Sequence, residues 1–151
     1  RAGASDIIVV EGESSGSYHA SGRSAAMYMA GYGNAPVRAL TRRSLPFFET
    51  PPADFVDGPL LRRRGHLTVA SAADTSLLGE MAKNATGQIL DGDAARAIVP
   101  HLRADSAVKA FLDADASDID TDRLHQSYIR HARKAGVRFL TDTPFLGAQF
   151  S

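Results

Sequence analysis

Glu11 stands at the carboxyl end of an aliphatic run, Ile7-Ile8-Val9-Val10. In a dinucleotide-binding βαβ unit, an acidic residue at a strand end accepts hydrogen bonds from both ribose hydroxyls of the adenosine half. Many strands end in glutamate, and the glycine-rich turn that should lie about 20 residues upstream is not in the sequence. A second segment, Tyr18-His19-Ala20-Ser21-Gly22-Arg23-Ser24-Ala25-Ala26-Met27, places serine and glycine at a loop-to-helix transition followed by small side chains. Backbone donors at such a place can face an anion, and small residues let a flat ring system approach the backbone. The same residues also suit a packed alanine-rich turn with a serine cap. Gly31-Tyr32-Gly33 begins like a phosphate-binding loop, but no strand precedes it and Pro36 takes the third glycine's place. It reads as a turn.

Other chemistries find little support. The chain has no cysteine, which excludes disulfides, thiolate metal sites and a cysteine nucleophile. His125 and His131 are six residues apart, off one helical face, so no metal site is expected. Asp113, Asp115, Asp118, Asp120 and Asp122 lack the central glycine and terminal glutamate of a calcium loop, and read as a loop and cap cluster. No catalytic carboxylate pair or nucleophile triad emerges, and no catalytic residue is assigned; Tyr128 and His125 read as packing residues. Arg62-Arg63-Arg64 reads as a solvated loop. Lys plus Arg and Asp plus Glu number 17 each, so no overall field steers the protein to nucleic acid or anionic membrane. No apolar stretch approaches the roughly 20 residues of a membrane span. A cytoplasmic location fits this composition.

The elements that must position Glu11 and the serine-glycine segment alternate between strands and helices. Residues 1–5 read as a helix tail, and 6–11 as a short strand covered on both faces, as in a parallel sheet. A loop covers 12–17, and 22–29 has helical potential. A helix is expected over 34–48, with Asn34 as cap, Pro36 in the first turn, and Val37, Leu40, Ser44 and Phe47 on one face. Thr50-Pro51-Pro52 ends it. A strand over 65–70 follows, with Leu67 and Val69 on one face, then a short helix around Leu77, Leu78 and Met81. Another helix over 94–99 stops at Pro100, and 108–112 reads as a strand. The clearest helix is last: Thr121 caps it, Leu124, Tyr128, Ile129 and Ala132 form its stripe, and Gly136 ends it before a strand over 137–140. With 151 residues, 44% hydrophobic and 23% charged, this is the balance of a globular protein. The order indicates α/β, or α+β with a middle insertion.

Several runs together resemble one family. Ser21-Gly22-Arg23-Ser24-Ala25-Ala26-Met27 looks like the second flavin-contacting segment of the FAD-dependent D-amino-acid oxidases and dehydrogenases, the enzymes acting on D-arginine among them. The likeness continues in order through Val37-Arg38-Ala39-Leu40-Thr41, Pro51-Pro52-Ala53-Asp54-Phe55, Pro59-Leu60-Leu61, 64–70 and Leu102-Arg103. Its strongest later block runs from Asp118 to Arg130. The resemblance implies FAD as cofactor, with Glu11 on the adenosine ribose and Ser21, Gly22, Arg23, Ser24, Ala25, Ala26 and Met27 along the flavin and its phosphates. It implies an amino-acid substrate, with Tyr32 in a lid-like loop and His66 on a substrate-covering sheet. The expected reaction is oxidation of the CH–NH bond of a D-amino acid by hydride transfer to flavin, giving an imino acid.

On this reading the fold is a partial Rossmann-like FAD-binding domain with an inserted substrate-domain segment. Residues 1–48 and 117–151 belong to the FAD-binding domain, and 49–116 to the insertion. The family opens with strand, GxGxxG and helix, whereas this sequence enters at the end of that helix. A fragment is therefore expected, binding FAD poorly and inactive alone. The alternative is a non-catalytic homologue, an interaction module or one subunit of a split flavoenzyme, with a partner chain supplying the missing sheet. Arg62 and Arg63 depart from the family in making the run more basic.

Overall fold

The computed structural model describes residues 3–19 and 21–149. In chain order the elements are β1 (Ile8–Val10), a 3-10 turn (Ser21–Arg23), β2 (Met27–Tyr28), α1 (Ala35–Glu49), β3 (Leu61–Arg63), β4 (His66–Ala70) and α2 (Thr75–Asn84). There follow β5 (Gln88–Asp91), α3 (Gly92–Ile98), β6 (Lys109–Asp113), β7 (Ser117–Ile119), α4 (Thr121–Lys134) and β8 (Arg138–Leu140). Among the described residues they make one parallel pair, β1-β8, and two antiparallel sheets of order β2-β7-β3 and β4-β6-β5. This is the mixed α/β architecture expected, parallel where the first strand lies and antiparallel in the middle.

The chain divides into two compact units. One comprises the residues up to Ala26, Pro51–Leu60 and those from Asp120 onward; the other comprises Met27–Thr50 and Leu61–Ile119. These lines differ from the boundaries drawn on the sequence: 27–48 lies with the middle elements, and 51–60 with the last helix.

In the first unit, Ile8, Val9 and Val10 pair in register with Arg138, Phe139 and Leu140. Glu11 N–H extends the ladder by donating to Leu140 O at 2.8 Å. The strand was expected to be covered on both faces, and this is corrected. Ile7, Ile8, Val9 and Val10 are 40–44% exposed, and β1 has a single strand neighbour among the described residues. Residues 51–60 are strapped along α4: Asp120 N–H donates to Leu60 O at 3.0 Å, and the Phe55 ring lies 4.9 Å from Tyr128 and 5.0 Å from His131. Asp120, not Thr121, caps α4, its Oδ1 accepting from Arg123 N–H at 2.9 Å. Gly136, at φ +89°, ends the helix as expected.

In the second unit, α1 matches the sequence reading. Asn34 Oδ1 accepts from Val37 N–H at 3.1 Å, and Thr50 closes the other end. The core sets Phe111 and Ala70 of the β4-β6-β5 sheet against Leu78 of α2, with Met81 and Ala85 packed beside them. The helical potential over 22–29 is not realised; those residues form the 3-10 turn and β2, which pairs with β7. Arg62 and Arg63 lie in a strand, not a loop. Arg63 pairs with Asp115, and Arg64 with Asp118, each at 2.8 Å, so the neighbouring aspartates balance this basic run. The strands β2, β3, β5 and β7 are absent from the sequence reading, since none exceeds four residues and none alternates clearly.

Candidate functional site

Glu11 follows β1 directly and is half-buried. Its Oε1 accepts from Glu13 N–H at 3.1 Å, which aims the carboxylate, while Oε2 has no hydrogen-bond partner among the described residues. Glu13 in turn meets His19 Nε2 at 2.8 Å. The loop then enters the Ser21–Arg23 turn, closed by Gly22 N–H donating to Ser17 O at 2.7 Å. A Cβ at Gly22 would stand 2.5 Å from that oxygen, so the turn closes this tightly only around glycine. Arg23 lies over the Tyr18 ring, 4.9 Å from its centroid, and its Nε donates to Tyr18 O at 3.2 Å.

Ser17, Ser21, Gly22, Ser24, Thr121 and Asp122 line a cleft of about 140 Å³. The structure thus brings Ser21, Gly22 and Ser24 together with a helix start that sequence reasoning had treated only as a cap. Glu11 is outside the lining of this cleft, and Arg23 turns to Tyr18. Ala25 is exposed and Ala26 half-buried, and Met27 opens β2 in the second unit. Hydroxyls and backbone donors at the helix start suit a hydroxyl-bearing or phosphate-bearing ligand, and the one carboxylate, Asp122, suits the ligand's hydroxyls alone. A carboxylate with a vacant oxygen suits a ribose diol. The residues present therefore fit FAD.

A second cavity, about 270 Å³, lies within the second unit. Met29, Gly31, Tyr32 and Gly33 line it from one segment, Met81 of α2 and Ala85 just after that helix from another, and Phe111 and Asp113 from β6. Tyr32 is 71% exposed. His66 is outside this lining; it sits opposite Asp113 in the β4-β6 register, with Nδ1 3.3 Å from Thr68 Oγ1. Asp113 is 4% exposed, and its Oδ1 accepts from Asp115 N–H at 3.1 Å and Ala116 N–H at 3.2 Å. Those bonds hold a carboxylate at an otherwise apolar pocket, an arrangement able to seat an apolar group next to a donor or cation. Burial pushes the Tyr28 phenol above its ordinary range; Glu49 and Asp113 reinforce the shift and Arg42 opposes it. The Tyr28 hydroxyl has no hydrogen-bond partner among the described residues. Sequence reasoning missed Met81, Phe111 and Asp113 as pocket residues, because they come from separated elements and share no motif. Among the described residues, no helix is long and apolar enough to cross a membrane.

A parallel strand ending in glutamate, followed by a glycine-closed polar turn, is the arrangement a dinucleotide-binding unit would offer its cofactor. Residues 1–150 match the family described as FAD dependent oxidoreductase, DAO, and the chain belongs to that family. Its fold is shared with glycine oxidase from Bacillus cereus ATCC 14579 at 18% identity and a TM-score of 0.73, over 96% of this chain and 43% of that one. L-proline dehydrogenase from P. horikoshii is similar at 14% identity and a TM-score of 0.73, over 96% and 40%. Dithionite-reduced L-alpha-glycerophosphate oxidase from Mycoplasma pneumoniae, with FAD bound, is similar at 13% identity and a TM-score of 0.76, over 93% and 39%. The chain spans about two-fifths of the length of these solved proteins.

Proposed function

We propose that the protein is an FAD-dependent amino-acid dehydrogenase or oxidase that oxidises the CH–NH bond of a D-amino acid. The observation that carries this reading is the family match over residues 1–150, joined to Glu11 at the end of a parallel strand. Structural neighbours named for glycine and L-proline support an amino-acid substrate. Bound FAD supplies the hydride acceptor for the substrate's α-carbon. In this proposal Glu11 holds the adenosine ribose, and residues 21–27 line the flavin and its phosphates. Tyr32 and His66 face the substrate, and residues 49–116 contribute the substrate-domain segment with its covering sheet. The chemistry needs no nucleophile here; this chain's residues bind, orient and exclude water.

The 151 residues alone are proposed to bind FAD weakly, since they hold no GxGxxG loop for the pyrophosphate. The setting proposed is the cytoplasm. A second reading, in which another polypeptide completes the sheet, draws on the exposure of Ile7, Ile8, Val9 and Val10; co-purification of a second chain carrying GxGxxG would favour it. Because the 151 residues alone are expected to bind FAD weakly and to be inactive, the main proposal is tested on a full-length polypeptide or complex that also supplies the GxGxxG loop. It is loaded with FAD and followed by dye reduction or peroxide release with paired D- and L-amino acids, glycine and proline. Preference for D-enantiomers is the expected result. A preference for L-enantiomers would remove the D-specificity, and absence of any FAD binding would remove the whole reading.

A further inference from the structure

We propose that His125 of α4 is a positioning residue for the cofactor, acting through Gly16 on the turn that lines the polar cleft; this rests on the reading that residues 21–27 hold FAD. Thr121, His125 and Ile129 recur every fourth residue, so they share one face of α4. That face meets the loop at Gly16. A Cβ added there would lie 2.9 Å from His125 Cε1, 3.4 Å from Nε2 and 3.8 Å from Ile129 Cδ1. Gly16 does not occupy the left-handed region, so glycine is required by space and not by backbone conformation.

The contact has a short path to the cleft. Ser17, the next residue, lines the cleft, and its carbonyl accepts the Gly22 N–H at 2.7 Å that closes the Ser21–Arg23 turn. Thr121, one turn ahead of His125, lines the same cleft. A displacement of the loop at Gly16 therefore shifts Ser17 and, through one hydrogen bond, the segment from Ser21 to Ser24. The His125 ring is held by shape: its Nδ1 is buried with no hydrogen-bond partner among the described residues. In a close-packed interior, such a ring transmits displacement instead of absorbing it.

The test uses the purified protein and its Gly16→Ala, His125→Ala and double variants, with FAD affinity read from flavin fluorescence and apoprotein melting followed by circular dichroism. Gly16→Ala is expected to weaken FAD binding about tenfold, the scale of one overpacked contact. His125→Ala should weaken it about threefold, by letting the loop relax towards the helix. In the double variant the added methyl has room, and affinity returns to within about threefold of the parent. The proposal is overturned if Gly16→Ala binds FAD as the parent does, if the double variant is no better than Gly16→Ala, or if melting falls while affinity is unchanged. Should Gly16→Ala not fold, unchanged affinity in His125→Ala overturns it. If the parent itself binds no FAD, the functional reading fails first and separately.

Discussion

The carboxylate of Glu11 is aimed by the backbone of Glu13, whose N–H donates to Oε1 at 3.1 Å and leaves Oε2 without a hydrogen-bond partner among the described residues. One oxygen fixes the group and the other is open to a ligand. Glu11→Gln should keep the local bond, since an amide oxygen also accepts, but lose the charge that strengthens a bond from a ribose hydroxyl. A charge-assisted hydrogen bond contributes about 1.5–3 kcal/mol. FAD affinity should therefore fall roughly 10- to 100-fold, with unchanged melting of the apoprotein. Equilibrium titration of FAD checks this; a variant that binds like the parent would take Glu11 out of the cofactor site.

Asp113 does its structural work through backbone donors. Replacing it with alanine strands the N–H of Ala116, a residue only 1% exposed, together with that of Asp115. A buried donor without a partner costs about 1–3 kcal/mol. Asp113→Ala should lose about that much by urea unfolding, and Asp113→Asn about half as much or less, because its side-chain oxygen still accepts. Equal losses in the two variants would show that the charge, not the cap, holds this corner.

Phe111 is the largest fully buried side chain among the described residues, 1% exposed, packed with Ala70 and Leu78. It also lines the apolar pocket with Met81 and Ala85. Phe111→Ala should lower stability by about 3–5 kcal/mol, and Phe111→Leu by much less. Chemical denaturation measures both. A small loss for the alanine variant would mean the pocket walls collapse inward to fill the space.

The long elements were legible because several signals agreed at each. At α1, an asparagine cap, a first-turn proline and a proline pair after the end all mark the same 15-residue helix. At α4, Gly136 stops the chain where its positive φ requires. The polar turn was legible through Ser21 and Gly22, whose types suit a tight backbone. What failed was set by tertiary context. β2 and β3 are two and three residues long and exist as neighbours of β7, which no local pattern announces. The aliphatic run of β1 was read as doubly covered because its composition says only that it is apolar, and not how many elements reach it. The Gly16–His125 contact joins residues more than a hundred positions apart, and neither carries a motif.

Tyr28 ties the second unit to pH. The residue is 5% exposed and its hydroxyl has no hydrogen-bond partner among the described residues, so burial raises the phenol above its ordinary value of 10.0, and the carboxylates of Glu49 and Asp113 add to that shift. In the unfolded chain the same group ionises near its ordinary value of about 10. Between the two values the unfolded state binds fewer protons than the folded state, so stability falls as pH rises. The contribution is complete below the unfolded value and is lost as pH climbs through the folded one. Tyr28→Phe removes the ionisation, and it also removes an unpaired buried hydroxyl. It should therefore raise stability at neutral pH by about 1 kcal/mol and flatten the alkaline decline. Urea midpoints between about pH 8 and 11 measure both effects, and phenolate absorbance gives an independent readout of the ionisation. Asp113→Asn acts on the same group from outside: removing one neighbouring negative charge lowers the folded-state Tyr28 value towards the ordinary one, so the alkaline decline should be smaller than in the parent. A decline that is equally steep in the parent and in Tyr28→Phe would assign the alkaline sensitivity to other groups.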